Sequence, residues 1–263
     1  MGDVTGRALV TGAGRRLGRA MAETLADQGY AVAVHYAGSK AAAQEVVAGI
    51  EARGGQAVAL QADLLDEAQA QALLPRAAEA LGGPVTVLVN NASVFEYDDI
   101  DSATRQSWDR HFESNLRAPF VLIQALAAQV PDPKRDAREE PVAQGLVVNM
   151  IDQRVRKLTP EFMSYTLAKS ALWTLTQTAA QALAPRVRVN GIGPGPTLQG
   201  GRQDAGAFAR QRASTVLERG ADPDDITAAL TFLLGAKTVT GQLICVDGGQ
   251  HLGWQTPDVV GVE

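Results

Sequence analysis

The sequence predicts an α/β protein: one Rossmann-type, doubly wound domain with a seven-stranded, mostly parallel sheet and helices on both faces. Two observations lead to this class. Apolar runs of strand length alternate with longer segments of helical periodicity along the whole chain, a pattern typical of parallel sheets with right-handed crossovers. The 263 residues also contain no internal repeat, linker or low-complexity tract. We therefore expect residues 1–263 to form a single domain.

Local signals predict each element in turn. The nearly continuous apolar run at residues 85–90 is typical of a strand that is covered on both faces. Glycines such as Gly29 end helices, and Asp222 followed by Pro223 begins one. The predicted strands are residues 8–11, 31–36, 57–61, 85–90, 146–150, 187–190 and 243–246. The first predicted helix ends near residue 28, and the others span residues 40–53, 67–81, 108–128, 165–184 and 222–234.

Composition excludes several classes of function. The formal net charge of −5 argues against binding to nucleic acid or to an anionic membrane. No apolar stretch could cross a bilayer, and the first residues lack the apolar core of a signal peptide. The single cysteine, Cys245, lies in an apolar run and is interpreted as a buried hydrophobic residue. We expect a cytoplasmic protein that acts on a small molecule.

Two segments fall outside the alternation of strands and helices. Residues 131–143 are charged and contain prolines, which predicts an exposed surface loop. Residues 255–263 have no clear pattern, and we expect them to be mobile or to cap a neighbouring subunit. His111 is expected to be a partly exposed structural histidine, and His251 to have a packing role. No group of histidine, cysteine and carboxylate residues has metal-ligand spacing, so no metal is predicted.

A glycine-rich segment, residues 11–18, joins the first strand to the first helix and reads Thr-Gly-Ala-Gly-Arg-Arg-Leu-Gly. Glycines let the backbone approach a pyrophosphate, and the amides at a helix N-terminus bind it. The strict Gly-x-Gly-x-x-Gly spacing is not met, because Leu17 stands where the third glycine belongs. A tight strand-to-helix turn is the alternative. The candidate cofactor contacts here are Gly12, Arg15, Arg16, Leu17 and Gly18.

The end of the second predicted strand indicates which cofactor is used. Sites for NAD usually carry an acidic residue there, which binds the ribose 2′-hydroxyl. Residues 34–40 read Val-His-Tyr-Ala-Gly-Ser-Lys and contain no acid. Arginine binds phosphate through its planar fork, so the sequence predicts NADP(H). Lys40 is equally well interpreted as a solvated helix residue. The residues that could surround a 2′-phosphate are Arg15, Arg16, His35, Ser39 and Lys40.

Tyr165 and Lys169 begin the long helix that follows the predicted strand at 146–150. Their spacing of four residues places them on one helical face, so their polar ends can meet one substrate. A cation beside a phenol favours the phenolate and predicts a lowered pKa for Tyr165. A phenol with such a pKa can transfer a proton near neutral pH. The Tyr-x-x-x-Lys pattern alone is weak, because most chance copies are solvated helix faces.

Taken together, the motifs resemble those of the short-chain dehydrogenase/reductase family over essentially the whole chain. The matching residues are the loop at 11–18, Asp63-Leu64, Asn90-Asn91-Ala92-Ser93, Asn115, Tyr165, Lys169 and Gly193-Pro194-Gly195. The resemblance implies that Asp63 and Leu64 border the adenine and that Asn91 and Ala92 line the cofactor ribose. It further implies a water held by Asn115, a ribose contact by Lys169, and a nicotinamide backed by Pro194 and Gly195. The family is commonly tetrameric, so we expect a homotetramer.

Two departures from the general family pattern are similar to the pteridine reductase branch. Most members carry a glycine in place of Arg16 and a serine in place of Asp152. In that branch, residues matching Arg16 and Ser93 touch cofactor phosphate and pterin, and the residue matching Phe95 stacks the pterin against the nicotinamide. His35 and Tyr36 end the second strand, which is a further similarity, and Tyr36 and Ser93 are therefore also candidate cofactor contacts. The arginine that usually precedes Ser39 in the trypanosomatid enzymes is Gly38 here.

These observations lead to one functional prediction and two alternatives. We predict hydride transfer from NADPH to a C=N bond of a dihydropterin-like ring, with catalytic residues Asn115, Asp152, Tyr165 and Lys169. Arg16, Ser93 and Phe95, with Asp152 and Tyr165, are the predicted substrate contacts. The first alternative is a reductase of 3-oxoacyl or other ketone substrates. The second is a non-catalytic NADP-binding regulator on the same fold.

Overall fold

A seven-stranded parallel sheet forms the centre of the computed structural model, which describes residues 4–201 and 203–256. Two very short strands form a separate hairpin. The strands are β1 (Gly6–Val10), β2 (Tyr30–Tyr36), β3 (Ala57–Gln61), β4 (Val87–Asn90), β5 (Lys134–Arg135), β6 (Pro141–Val142), β7 (Gly145–Met150), β8 (Val187–Pro194) and β9 (Leu243–Val246). The helices are α1 (Arg16–Asp27), α2 (Lys40–Ala52), α3 (Glu67–Ala80), α4 (Arg105–Phe112), α5 (Ala118–Gln129), α6 (Met163–Leu183), α7 (Ala205–Ala213) and α8 (Pro223–Gly235).

The strand order confirms the predicted fold class. The sheet runs β3-β2-β1-β4-β7-β8-β9, and every neighbouring pair is parallel. All seven carboxyl ends therefore lie along one edge. The order reverses direction between β1 and β4, which makes that point the topological switch where doubly wound sheets bind ligands.

Helices cover both faces of this sheet and bury two apolar layers. On one face, Leu73 and Leu74 of α3 pack with Leu122 and Leu126 of α5. On the other face, α1, α2 and α8 contribute a second layer. The largest fully buried side chains that these three helices contribute are Met21, Leu25, Ile50 and Ile226. Because both faces are covered, the central strands consist almost entirely of apolar residues, as their sequence predicts.

The predicted helix at 108–128 differs from the structure in two ways. The observed helix begins three residues earlier than predicted, at Arg105, because Thr104 and Ser107 form a reciprocal capping box. A π-helical turn, Glu113–Arg117, also separates α4 from α5. Such turns widen the helix by one residue and are frequent at functional sites.

Three further segments lie outside the regular alternation of strands and helices. Helix α7 was not predicted, and it has no buried residue that would produce an apolar stripe. The predicted loop at 131–143 is largely exposed but contains the β5–β6 hairpin. Of the predicted tail, Gln255 and Thr256 are exposed, and residues 257–263 lie outside the described residues. Within the described ranges, no helix is long and apolar enough to cross a membrane.

A buried chain of polar side chains ties α6 to the centre of the sheet. Asn90 Nδ2 donates to Asn149 Oδ1 at 2.8 Å, and Asn149 Nδ2 donates to Thr176 Oγ1 at 2.9 Å. Thr176 Oγ1 in turn donates to the carbonyl of Leu172 at 2.8 Å. Buried amides need such partners. This chain therefore fixes α6 relative to β4 and β7.

Thr176→Val tests this connection, because it keeps the shape of the side chain and leaves the amide of Asn149 without its acceptor. We expect a loss of about 1–3 kcal/mol in the free energy of unfolding, measured by denaturant titration. Thr178→Val is the matched control on the same helix, since Thr178 is exposed. It should change stability by less than about 0.5 kcal/mol. Equal losses in the two variants would contradict a structural role for the buried chain.

Candidate active site

Tyr165 and Lys169 lie in the first two turns of α6, and Asp152 reaches the same point from the segment after β7. Tyr165 Oη donates to Asp152 Oδ2 at 2.9 Å, and Asp152 Oδ1 accepts the amide of Arg154 at 2.9 Å. Lys169 Nζ donates to the carbonyl of Met150 at 2.7 Å and lies 5.7 Å from the centre of the Tyr165 ring. Three of the four predicted catalytic side chains thus lie together.

Burial changes the pKa of all three side chains, Asp152, Tyr165 and Lys169. Burial and the negative charge of Asp152 raise the pKa of Tyr165 well above its ordinary value. Burial also raises the pKa of Asp152 and lowers the pKa of Lys169 to about 8. The predicted lowering of the Tyr165 pKa by Lys169 is therefore wrong for these side chains, because desolvation and Asp152 outweigh the cation. The tyrosine and the aspartate hold their proton as a pair.

Asn115, the fourth predicted catalytic residue, lies in the π-helical turn and is fully buried. Its Nδ2 donates to the carbonyl of Val94 at 2.9 Å. Its Oδ1 has no hydrogen-bond partner among the described residues. A buried carbonyl oxygen normally accepts a hydrogen bond, so this atom is suited to hold the water that the sequence predicts.

Aromatic side chains form one wall beside Tyr165. Phe95 stacks on Phe162 with ring centres 4.4 Å apart, and its ring meets Tyr165 edge to face at 4.6 Å. Phe95 is 43% exposed, so it presents a ring to the space in front of Tyr165. Phe162 was missed by sequence analysis. It has left-handed backbone geometry (φ 55°) immediately before α6, for which the sequence carries no signal.

Close backbone contacts explain the glycines of the loop at 11–18. Gly12 has a φ of 63°, and a Cβ on Gly18 would lie 2.3 Å from the carbonyl oxygen of Gly12. The close contact between backbone segments that requires a glycine therefore occurs at Gly18 and not at Leu17. Asn91 Nδ2 donates to the carbonyl of Thr11 at 2.8 Å, and the Ala92 amide donates to Thr11 Oγ1 at 2.9 Å. The end of β4 thus holds this loop in place.

Arg16 turns away from the predicted phosphate cluster and towards the loop after β8. Its two terminal nitrogens donate to the carbonyls of Gln199 and Leu198 at 2.8 and 3.1 Å. Its φ of 53° lies in the left-handed region, which glycine adopts without steric cost. The side chain thereby lies beside the cleft and away from the end of β2.

The residues predicted to surround a 2′-phosphate lie in different environments. Arg15 and Lys40 are exposed, and Ser39 lies against the glycine loop, since a Cβ on Gly14 would be 3.3 Å from its hydroxyl. The prediction for His35 is wrong. Its Nδ1 accepts the Gly12 amide at 3.0 Å, and its Nε2 lies 3.0 Å from the carbonyl of Ala62.

His35 is therefore committed to the protein backbone on both sides of its ring. Burial lowers the pKa of His35 to about 4, so the ring is neutral and carries its proton on Nε2. Tyr36, also a predicted cofactor contact, is a core residue that packs with Val34 and Val46. Both residues support the loop and the sheet.

The remaining predicted contacts lie at the carboxyl edge of the sheet. Asp63 is exposed and its Oδ1 accepts the amide of Leu65 at 3.0 Å, whereas Leu64 is buried in the core. Ser93 is exposed and its hydroxyl interacts with Tyr165. Gly195 donates its amide to the carbonyl of Val246 at 3.0 Å, and a Cβ there would lie 2.6 Å from Asp247.

A cavity of about 1060 Å³, which we call the cleft, lies in front of Asp152 and the aromatic pair. Phe95 and Phe162 form one wall of the cleft, Asp152 forms a second, and the loop that follows β8 forms the third. Its lining includes Arg16, Phe95, Asp152, Phe162, Pro194 and Gly195. Among residues 4–201 and 203–256, no group of histidine, cysteine and acidic side chains could hold a metal ion.

A family model matches most of the chain and shows which class of protein has this fold and this group of side chains. Residues 12–251 match the model described as enoyl-(acyl carrier protein) reductase. The chain belongs to the short-chain dehydrogenase/reductase family.

Three individual proteins are similar to this chain over nearly its whole length. The crystal structure of FolM alternative dihydrofolate reductase 1 from Brucella suis, in complex with NADP, is 42% identical, with a TM-score of 0.90 over 97% of this chain and 99% of that chain. An uncharacterized oxidoreductase of Methylorubrum extorquens is 35% identical, covering 92% of this chain and 96% of the relative. The 3-oxoacyl-[acyl-carrier-protein] reductase FabG of Staphylococcus aureus is 32% identical, with coverages of 95% and 99%.

The backbone of Arg16 yields a prediction that separates strain from contact. Arg16→Gly and Arg16→Ala both lose the hydrogen bonds to the loop after β8, but only alanine keeps the Cβ that disfavours a positive φ. We expect the glycine variant to be the more stable by about 1 kcal/mol in denaturant titrations.

Arg19 provides the matched control, because it is exposed in the regular part of α1. There the order should reverse, with glycine less stable than alanine by about 0.5–1 kcal/mol. An alanine variant of Arg16 that is as stable as the glycine variant would show that this backbone is not strained.

Proposed function

We propose that the protein is an NADPH-dependent reductase that transfers a hydride to a dihydropterin-like ring. The observation that carries the proposal is the hydrogen-bonded pair of Asp152 and Tyr165 at the carboxyl edge of the sheet. Asp152 lines the cleft together with the ring of Phe95, and Tyr165 lies directly beside both side chains. A flat heterocycle with ring nitrogens suits an aromatic wall beside a proton-holding pair.

The glycine loop and its surroundings fit a dinucleotide with an extra phosphate. Gly12 and Gly18 allow the close backbone approach that a pyrophosphate needs, and α1 begins directly behind them. Exposed Arg15 and Lys40 could bind a 2′-phosphate, while no acidic side chain follows β2. The FolM structure contains NADP, which supports the same choice. When bound, NADPH supplies the hydride.

The chain's own residues supply the proton and hold the ring. Tyr165 and Asp152 share a proton that burial keeps on the pair, so the pair can act as a general acid at neutral pH. Protonated Lys169, within reach of Tyr165, supports proton transfer and is suited to bind a ribose hydroxyl. The free Oδ1 of Asn115 is suited to a water that returns the proton from solvent.

Asp152 is the feature that favours a C=N substrate over a ketone. An ionised carboxylate beside a developing alkoxide would raise the barrier to ketone reduction. The same carboxylate can accept an N–H of a pterin or, when protonated, donate to a ring nitrogen. The greater identity to FolM (42%) than to FabG (32%) supports this choice.

Ketone reduction remains the second candidate, and one observation favours it. The FabG relatives show that this fold and family act on 3-oxoacyl groups elsewhere. A non-catalytic regulator is disfavoured, because Asn115, Asp152, Tyr165 and Lys169 all lie around one cleft or directly behind it.

We further propose a cytoplasmic homotetramer. Large apolar side chains are exposed on α4, α5 and α6: Trp108, Phe120 and Leu167 are 37–45% exposed. A second subunit that covers these helices would bury them. The lone Cys245 and the use of NADPH suit a reducing compartment.

Substitution of Asp152 separates the two candidate substrates. Asp152→Ser supplies a neutral donor suited to a carbonyl oxygen, and we expect dihydropterin kcat/KM to fall about 10²-fold or more while ketone reduction is unchanged or improved. Asp152→Asn keeps the size of the side chain but loses its charge and proton, so it should also lose pterin reduction. The measurement is NADPH oxidation with dihydrobiopterin, with dihydrofolate, with a ketone panel, and without substrate.

Asp101→Ser is the matched control, because Asp101 is exposed and lies outside the lining of the cleft. It should leave both activities unchanged. Higher pterin turnover in Asp152→Ser would contradict the proposal. So would a wild-type protein that reduces ketones well and pterins not at all.

A further inference from the structure

A fully buried polar cluster lies directly behind Tyr165 and plays no part in the chemistry described above. It consists of Asp98, Ser164 and His111, which are 1%, 1% and 0% exposed. His111 was expected to be partly exposed, and that prediction is wrong. Its ring lies edge to face with the ring of Tyr165, with centres 6.0 Å apart.

The hydrogen bonds of the cluster run in one direction. His111 Nε2 accepts the amide of Glu96 at 3.1 Å, so the ring proton lies on Nδ1. Nδ1 lies 2.6 Å from Ser164 Oγ and donates to it. The serine hydroxyl then donates to Asp98 Oδ2. Burial lowers the pKa of His111, which keeps the ring neutral and in this tautomer.

Asp98 also caps the helix that carries Tyr165. The preceding residue, Phe162, is left-handed and makes no side-chain cap. Asp98 replaces that cap from another loop: its Oδ1 accepts the Ser164 amide at 3.0 Å, and its carbonyl accepts the Met163 amide at 3.2 Å. A carboxylate at a helix N-terminus also interacts favourably with the helix dipole.

The cluster joins three segments that each carry one residue of the cleft or its proton path. The loop after β4 contributes Glu96 and Asp98, next to Phe95. Helix α4 contributes His111, one turn before Asn115, and α6 contributes Ser164, next to Tyr165. A displacement of any of these three segments would change the distance between the aromatic wall, the water site and the phenol.

We propose that Asp98, Ser164 and His111 form a buried positioning network that sets Tyr165 relative to Phe95 and Asn115. The proposal rests on the proposed function, in that Tyr165 is taken as part of the proton donor. These three side chains are buried behind Tyr165, so we assign them a positioning role rather than direct contact with substrate or cofactor. They act through the start of α6, where a small error in position is costly for catalysis.

The test compares Ser164→Ala and Asp98→Asn with Ser164→Thr, which keeps the hydroxyl. With whichever substrate the wild type reduces, we expect kcat to fall about tenfold to a hundredfold in the first two variants, while the dissociation constant for NADPH changes by less than about twofold. Ser164→Thr should retain most of kcat. Asp66→Asn, the same change at the N-cap of α3, is the control for loss of a helix-capping charge.

Two results would overturn the proposal. One is wild-type kcat in Ser164→Ala and Asp98→Asn, whatever their thermal stability. The other is a loss of kcat in Asp66→Asn as large as theirs. If the wild type reduces neither a dihydropterin nor a ketone, the proposed function fails, and the ¹³C signal of the Tyr165 ring becomes the readout. The positioning network then predicts a signal that shifts in Ser164→Ala and stays in Ser164→Thr, and an unchanged signal in both overturns it.

Discussion

The hydrogen bond between Tyr165 and Asp152 joins two acidic side chains beside Lys169. Tyr165 and Lys169 are buried, and Asp152 is partly buried at the wall of the cleft. Each of these groups would be charged or strongly solvated on a surface, and burial changes the pKa of all three. The tyrosine and aspartate remain compatible because they share a proton. The rest of the site serves this arrangement: the buried amides anchor α6 to the sheet, Asp98 caps its first turn, and the loop after β4 brings an aromatic ring beside the phenol.

Two residues with strained backbone geometry lie at the same cleft. Four non-glycine residues in the described ranges have a positive φ, and two of them, Arg16 and Phe162, line the cleft. Each such residue costs about 1–2 kcal/mol and persists where surrounding contacts hold it. Arg16 is held by two carbonyls of the loop after β8, and Phe162 by its stack with Phe95. Both residues line the cleft.

Much of the fold could be predicted because its signals are local. The strand at 57–61 and the last strand have the predicted bounds, since each is a short apolar run between turn residues. Helix α7 could not be predicted, because none of its residues is buried.

Among the site residues, the sequence placed Asp152 and Tyr165 correctly beside each other through their motif. It misjudged His35 and His111, because whether a histidine is buried and bound to backbone depends on contacts between distant segments. It also misjudged the pKa of Tyr165, since desolvation depends on the complete fold.

The titration of Tyr165 is the most direct test of the shared proton. In protein labelled with ¹³C at tyrosine Cζ, the chain gives four signals, and Tyr165→Phe identifies the one of interest. Because Asp152 and burial both oppose the phenolate, we expect this phenol to stay protonated beyond pH about 10, the ordinary tyrosine pKa. We expect a lower pKa for the same phenol in Asp152→Asn. A phenolate at neutral pH in the wild type, or an identical pKa in the variant, would contradict the account.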